Sequence, residues 1–336
     1  MMFPTLLKPI KNILQRRPIL AIFEVTLRCN SACGYCDLPL NQGRYEMSRA
    51  EISGVFSHLY GEGLRVVFVQ GGEPLLRKDL PDILDDLSSI GFTISLITNG
   101  TKFTSGLLAR IARHPVSISI SLDTLDRQRY HIIRGADQLS LVLKGIELLD
   151  EYPHSKYLTC IVSEVNRGDV LDVMRFARNH GMIPVLGAYH WGVSRYGKID
   201  LTLQYQKATA TAVFQEVLES NLVPIGYFRN YLQDNIRWLN DQGLPDCDAG
   251  QYSIAIDASG NVAPCLALPH TGNLLSSSLS EILNNLDRSA IRQCSDRSSC
   301  NMLCSRVVGS NLRHPLSALR TSKIIPNTQL DLKHVC

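Results

Sequence analysis

Short apolar runs alternate with stretches of helical spacing through the first two thirds of the chain. Runs rich in β-branched and aromatic residues lie at Ala21 to Leu27, Leu64 to Val69, Phe92 to Ile97, Val116 to Leu122, Tyr157 to Val162 and Ile183 to Ala188. Each is four to eight residues long, which predicts a buried strand. Between them apolar residues recur every three or four positions. Ile52, Val55, Phe56 and Leu59 follow a Ser48-x-x-Glu51 capping box, and Leu80, Ile83, Leu84, Leu87 and Ile90 lie between a capping Asp79 and a stop at Gly91. Further helices are predicted near Ser105 to Arg113, behind Asp137 (Leu139, Val142, Ile146, Leu149) and from Asp169 to His180, closed by Gly181. Six strand–helix units in succession imply an α/β fold with a parallel sheet and right-handed crossovers.

From Leu201 the alternation stops. Gln204 to Ser220 and Phe228 to Leu239 have helical spacing, and Tyr252 to Ile256 and Val262 to Cys265 flank a turn at Ala258-Ser259-Gly260-Asn261, which predicts a hairpin. The first seventeen residues form a short amphipathic piece with Lys8, Lys11, Arg16 and Arg17. They lack the apolar core of a signal peptide, and no run elsewhere is long enough to span a bilayer, so the expected location is the cytoplasm. A net charge of +3 points to neither nucleic acid nor an anionic membrane as partner. Ten cysteines in such a chain argue for metal or redox use over disulfides.

The polar residues that carry chemistry fall just after the predicted strands. Cys29, Cys33 and Cys36, spaced C-x3-C-x2-C, follow the first. Three close thiolates suit a soft metal, and three ligands instead of four leave a coordination position open, as a chemical site requires. A zinc loop is the plainer reading, but zinc sites usually show paired C-x2-C units and none stands here. Gly71-Gly72-Glu73-Pro74 follows the second strand, where two glycines allow close backbone approach to a ligand. Thr98-Asn99-Gly100, Ser121 with Asp123, Ser163 with Asn166, and Tyr189-His190-Trp191 follow the other four. In α/β barrels that rim is where active sites are built.

The cysteine spacing, with Tyr35 before the last cysteine and a G-G-E motif after the next strand, resembles the radical S-adenosylmethionine (SAM) superfamily. The resemblance implies a partial (β/α)6 TIM-like barrel over residues 18–200. It implies a [4Fe–4S] cluster on Cys29, Cys33 and Cys36, with SAM chelating the fourth iron. Tyr35, Gly71, Gly72, Glu73, Pro74, Thr98, Asn99, Ser121, Asp123, Ser163 and Asn166 become the expected cofactor-binding positions. His190, Trp191 and Arg195, with Lys198 nearby, are candidate substrate contacts.

The later cysteines resemble the SPASM/twitch extension, a cysteine-rich domain that holds auxiliary iron–sulfur clusters. Cys247-x12-Gly260-x4-Cys265 matches its opening, and Cys294-x5-Cys300-x3-Cys304 its later part. A full block would carry a further cysteine where Ile291 stands. The set falls short of all-cysteine ligation of two cubanes, so one auxiliary [4Fe–4S] cluster is expected. By the pattern Cys247, Cys265 and Cys304 share it, with Cys300 or Cys294 as fourth ligand. Cys336, at the tail end, is a candidate to complete a second site, although chain termini are usually loose, whereas Cys160, inside a strand, reads as a core thiol.

These readings divide the chain into a lead-in (1–17), a barrel (18–200), a helical linker (201–245), an iron–sulfur extension (246–310) and a tail (311–336). By resemblance the protein is an enzyme that cleaves SAM reductively to a 5′-deoxyadenosyl radical and abstracts a substrate hydrogen atom. A flavodoxin or ferredoxin would supply the electron. Maturation of a ribosomally made peptide is the leading expectation for the substrate. Because the motif begins at residue 29, a separate protein would then supply peptide recognition. Oxidation, decarboxylation or rearrangement of a small metabolite is the runner-up, and a non-catalytic iron–sulfur carrier or zinc protein the distant alternative. No general base stands out: Leu266 follows Cys265 where some peptide-oxidising relatives carry an aspartate.

Overall fold

The structure, a computed structural model, describes residues 3–41, 43–190, 200–224, 226–297 and 299–317. Trp191, Arg195, Lys198 and Cys336 lie outside the described residues.

Six strands run parallel in chain order: β1 (Leu20–Thr26), β2 (Val66–Gly71), β3 (Thr93–Thr98), β4 (Ser117–Ser121), β5 (Lys156–Val162) and β6 (Ile183–Ala188). Helices α2 (Arg49–Gly61), α3 (Leu80–Ile90), α4 (Ser105–Ile111), α6 (Leu139–Leu148) and α7 (Val170–Asn179) return the chain between them, after an N-terminal α1 (Phe3–Leu14). The arrangement is the expected partial barrel. One large core joins Ala21, Phe23, Val67, Leu96, Ile120 and Val162 of the strands to Phe56, Leu84, Val142 and Val173 of the helices. All seven residues of β1 are buried, as a strand covered on both faces must be.

Local chemistry departs from expectation at three points. Ser48 and Glu51 do form the capping box of α2. Asp79, by contrast, makes no side-chain cap to α3, because Arg77 takes its carboxylate at 2.8 Å. Asp137 is likewise engaged by Arg127, and Gln138 occupies the N-cap of α6. A further helix, α5 (Arg127–Arg134), stands between β4 and α6, capped by Asp126 and ended by Gly135 at φ 62°. Its sequence RQRYHIIR buries only Tyr130, Ile133 and Arg134, too little apolar signal to betray a helix.

The C-terminal third is not a separate sheet. After α8 (Lys207–Glu219) and α9 (Tyr227–Leu239), strand β7 (Ser253–Ile256) pairs in parallel with β1, Leu20 opposite Ser253 and Phe23 opposite Ile256. The hairpin partner β8 (Asn261–Ala263) and the two-residue β9 (Gly272–Asn273) follow antiparallel, completing a nine-stranded order β6-β5-β4-β3-β2-β1-β7-β8-β9. Three short helices, α10 (Leu279–Asn284), α11 (Arg288–Asp296) and α12 (Val307–Arg313), carry or flank the last cysteines. The other sheet end, β6, is buried along its whole length, with α9 packed against it. No described helix is long and apolar enough to cross a membrane.

Candidate active site and auxiliary cysteine site

A bulge between Glu24 and Thr26 ends the pairing of β1 with β2 and releases the chain into the cysteine loop. Three neighbours hold that loop. Glu46 takes the Thr26 hydroxyl at 2.7 Å and the Leu27 amide at 2.8 Å. The Gly72 and Glu73 amides donate to the carbonyls of Thr26 and Arg28 at 2.8 and 2.7 Å. The end of α5 accepts the amides of Ala32 and Gly34 through the carbonyls of Arg134 and Ile133.

The glycine pair therefore serves a purpose the sequence did not disclose. A Cβ at Gly71 would stand 2.3 Å from the Thr26 carbonyl, and one at Gly72 would stand 2.2 Å from that of Arg28. Both contacts are with the backbone entering the cysteine loop, where the Gly72 and Glu73 amides are bonded, while both glycines also line the cavity described below.

Glu73 links this loop to the next. Its buried carboxylate accepts from the Thr98 hydroxyl at 2.5 Å and from the amides of Asn99 and Leu75 at 2.7 and 2.9 Å. Burial pushes its carboxyl upward, and those three bonds oppose the shift. Asn99 reaches back to Asn30 at 2.9 Å. The strand-end loops are thus one hydrogen-bonded unit around the cysteines.

Above that unit lies a cavity of about 310 Å³. Cys29, Cys33, Cys36, Tyr35, Gly71, Gly72, Glu73, Thr98, Asn99 and Ser121 line it, with His190 and Met302 at the side of the extension. Pro74, Asp123, Ser163 and Asn166 do not. Asn166 is fully buried, its amide donating to the Asp123 and Ile161 carbonyls at 2.8 and 3.0 Å while its oxygen takes the Ser163 amide and hydroxyl at 2.7 and 2.9 Å. Ser163 and Asn166 brace the rim from behind. Cys160 is buried, as expected of a core thiol.

Arg134 is the charged cavity residue that sequence reasoning missed. It is 7% exposed, forms an ion pair with the buried Asp123 at 2.6 Å, and points Nη1 at the Cys33 sulfur, 3.9 Å away. Its guanidinium carbon lies 5.7 Å from the centre of the Tyr35 ring, which in turn meets Tyr189 at 6.0 Å. Burial pushes the Asp123 carboxyl up and the guanidinium opposes it; since arginine keeps its proton, the pair is ionic. The Gly135 that ends α5 is the one sequence clue to this placement.

His190 lines the cavity, yet its Nε2 accepts the Asn301 amide at 3.0 Å and its ring packs on Trp238, 4.6 Å between centres. Burial pushes its pKa down to about 4. At neutral pH it is an uncharged acceptor tying the barrel rim to the extension. It thus serves as a joint between rim and extension while its ring lines the cavity.

The five later cysteines gather on the far side of that joint. Cys247 precedes the bend into β7, Cys265 follows β8, Cys294 sits on α11, and Cys300 and Cys304 flank the turn before α12. The charge of one thiolate is felt by the next: Cys247 by Cys294, Cys265 by Cys247, Cys304 by Cys247. The Cys300 thiol donates a hydrogen bond to Cys294, whose pKa falls to about 6, while burial pushes Cys265 up to about 12 and Cys304 to about 11. In the first site burial likewise pushes Cys29 up to about 11 and Cys36 to about 12. Such thiols ionise when a metal takes the proton's place.

Both sites have donors to spare for an anionic group. Nε of Arg134, Nε of Arg306, Nδ2 of the Asn301 amide and Oγ of Ser305 are buried without a hydrogen-bond partner. Among the described residues no three His, Cys, Asp or Glu side chains are arranged to hold a single metal ion. Cluster ligands bind different irons, so they need not converge on one point. Soft donors with unspent hydrogen-bond donors around them fit an iron–sulfur cluster with its sulfides.

Comparison with known proteins bears this out. Residues 23–177 match the radical SAM superfamily, and residues 247–306 match an iron–sulfur cluster-binding domain, SPASM. A probable GTP 3′,8-cyclase of Pyrococcus horikoshii is 35% identical over 167 residues, 48% of this chain and 53% of its own. The GTP 3′,8-cyclase of Ectopseudomonas mendocina is 31% identical over 170 residues, 47% of this chain and 50% of its own. The chain spans about half the length of the curated relatives it matches. Among solved structures, SuiB of Streptococcus suis bound to SAM superposes with a TM-score of 0.66 at 15% identity, over 81% of this chain and 67% of that one. The enzyme anSMEcpe with bound SAM gives 0.65 at 18%, over 83% and 80%. At those identities the likeness is one of fold. The chain belongs to the radical SAM superfamily: it is an enzyme of that type with a C-terminal SPASM domain, and its cofactors are a SAM-binding [4Fe–4S] cluster and an auxiliary iron–sulfur cluster.

Proposed function

We propose that the enzyme oxidises or rearranges a small polar molecule, held in the cavity between the barrel rim and the extension. Residues 18–200 supply the catalytic barrel and 246–310 the auxiliary-cluster domain. Cys29, Cys33 and Cys36 hold the first cluster; Cys247, Cys265 and Cys304, with Cys294 or Cys300, hold the second. Bound together, the first cluster and SAM supply one-electron cleavage of a carbon–sulfur bond and hence hydrogen-atom abstraction.

The chain's own groups do the rest. The Glu73–Thr98–Asn99 bonds fix the cysteine loop against the rim. Arg134, its charge balanced by Asp123, lines the cavity beside Cys33 and keeps Nε free to donate to a polar group of the substrate. Tyr35, Leu38, Ile97, Ile161, Ala188 and Met302 give apolar walls that exclude water from a reactive centre. An electron donor such as flavodoxin or ferredoxin completes the cycle.

One observation favours a small molecule over a peptide. A peptide needs a groove or a free strand edge to offset its ordering cost. The outer edge of β6, the strand end nearest the cavity, is covered by α9, whose Tyr231 hydroxyl would lie 4.0 Å from a Cβ at Gly187. The nucleotide cyclases among the relatives give the small-molecule reading further support. For these reasons it replaces the peptide expectation.

The test uses extract from cells grown in heavy water, split by ultrafiltration into small-molecule and peptide fractions. Reconstituted enzyme, SAM and a reductant are added to each. Deuterium in the 5′-deoxyadenosine formed with the small-molecule fraction is the expected result. Deuterium arising only with the peptide fraction would reverse the assignment.

A further inference from the structure

Arg306 lies between Cys304 and the start of α12 and is 3% exposed. Its Nη1 donates to the Pro245 carbonyl at 2.7 Å and its Nη2 to the Cys300 carbonyl at 3.3 Å, while Nε has no partner. Among the described residues no carboxylate stands within ion-pair distance of it. Asp234 on α9 and the buried Asp248 feel its charge without forming a pair, and Asp248 is engaged instead by the Gly309 amide and Arg313.

A guanidinium buried with no counter-ion is costly, and proteins rarely leave one so. The five-cysteine nest adjoins the guanidinium: Cys304 stands two residues before Arg306, and the Cys300 carbonyl accepts its Nη2. Around the same nest Asn301 and Ser305 add polar atoms with no partner. Arg134 at the other site is different, because Asp123 neutralises it within the protein.

We propose that Arg306 is the counter-charge of the auxiliary iron–sulfur cluster and raises that cluster's reduction potential. Accepting one electron makes the cluster one unit more negative. A fixed cation beside it stabilises the reduced form over the oxidised one. The auxiliary cluster is thereby biased towards taking an electron. This rests on the reading of the nest as a cluster site.

The experiment is a redox titration followed by electron paramagnetic resonance. It uses the full chain with Cys29, Cys33 and Cys36 replaced by alanine, so that only the second cluster contributes. Arg306→Gln keeps a hydrogen-bond donor and removes the charge; Arg306→Lys keeps the charge and removes the planar fork. In R306Q the midpoint is expected to move to more negative potential, with a tenfold lower reduced-to-oxidised ratio at the parent midpoint, about 59 mV for one electron. R306K should stay near the parent. If R306Q loses the cluster and R306K retains it, the counter-charge role stands. R306Q with a full cluster and the parent's midpoint would overturn it, as would loss of the cluster in both variants, which would make the fork's grip on the Pro245 and Cys300 carbonyls the residue's purpose. A parent that assembles no second cluster would overturn the reading of the nest itself.

Discussion

The two cysteine sites solve opposite problems with similar parts. At the barrel rim three thiols line a cavity, and the nearby arginine is neutralised by a buried aspartate, so the protein closes its own charge balance. In the extension five thiols form a nest, and among the described residues the arginine there has no carboxylate within ion-pair distance. The first arrangement leaves room, and a coordination position, for a molecule that arrives and departs. The second leaves a charge that only a permanent anionic group can answer. An exchangeable site must be stable when empty, whereas a resident cluster can be part of what stabilises its own pocket.

The sharpest way to break the comparison is to remove one set of cysteines. The Cys29, Cys33 and Cys36 triple alanine variant should lose reductive SAM cleavage altogether and keep about half of the iron, since each cubane carries four. Iron analysis and 5′-deoxyadenosine assays read both quantities. Unchanged cleavage, or loss of all iron, would show that the sites are not separable as described.

Charge balance gives the next largest effect. Arg134→Met strands Asp123, a fully buried carboxylate, and should cost about 3–5 kcal/mol in urea unfolding of the cluster-free chain. Adding Asp123→Asn removes the stranded charge and should recover much of that loss. Arg306→Gln strands no carboxylate and should cost only about 1–3 kcal/mol, the worth of hydrogen bonds to two carbonyls. Equal losses at Arg134 and Arg306 would remove the distinction between a balanced and an unbalanced site.

Much of this was legible in the sequence, for a physical reason. Six apolar runs with helical spacing between them leave few topologies open, and cysteine spacing is a local property that a loop must preserve. Side-chain partnerships across the fold were not legible. Arg134 sits on a helix with two buried apolar residues, and nothing in RQRYHIIR says that its last residue turns towards Cys33. The pairing of β7 with β1 joins residues more than 230 positions apart, and the bond from the Ser259 hydroxyl to the Tyr45 carbonyl spans 214. Gly71 and Gly72 were read correctly as places of close approach, but what approaches is the cysteine loop itself. His190 was picked out for its position at a strand end, and the Asn301 amide that occupies its Nε2 comes from a distant turn.

That bond gives the smallest and most local prediction, at the joint between the sites. His190 accepts the Asn301 amide only when its Nε2 is unprotonated, and its pKa is pushed from 6.5 down to about 4 by burial first, with the Arg306 charge adding to the effect. In the unfolded chain the imidazole takes its proton near pH 6.5, so between 6.5 and about 4 the unfolded state binds more protons than the folded one. The stability linked to His190 is therefore whole above pH 6.5 and is lost as pH falls towards 4, by about 2–3 kcal/mol in all. Carboxylates also titrate towards the bottom of that window, so the measurement is a difference. Urea midpoints of the parent and of His190→Gln, whose side-chain oxygen still accepts the amide, are followed from pH 8 to pH 4. The variant should be nearly as stable as the parent at the upper end, and its stability should fall less steeply below pH 6.5. Parallel curves would mean that His190 is solvated in the folded protein and that the joint between barrel and extension does not depend on it.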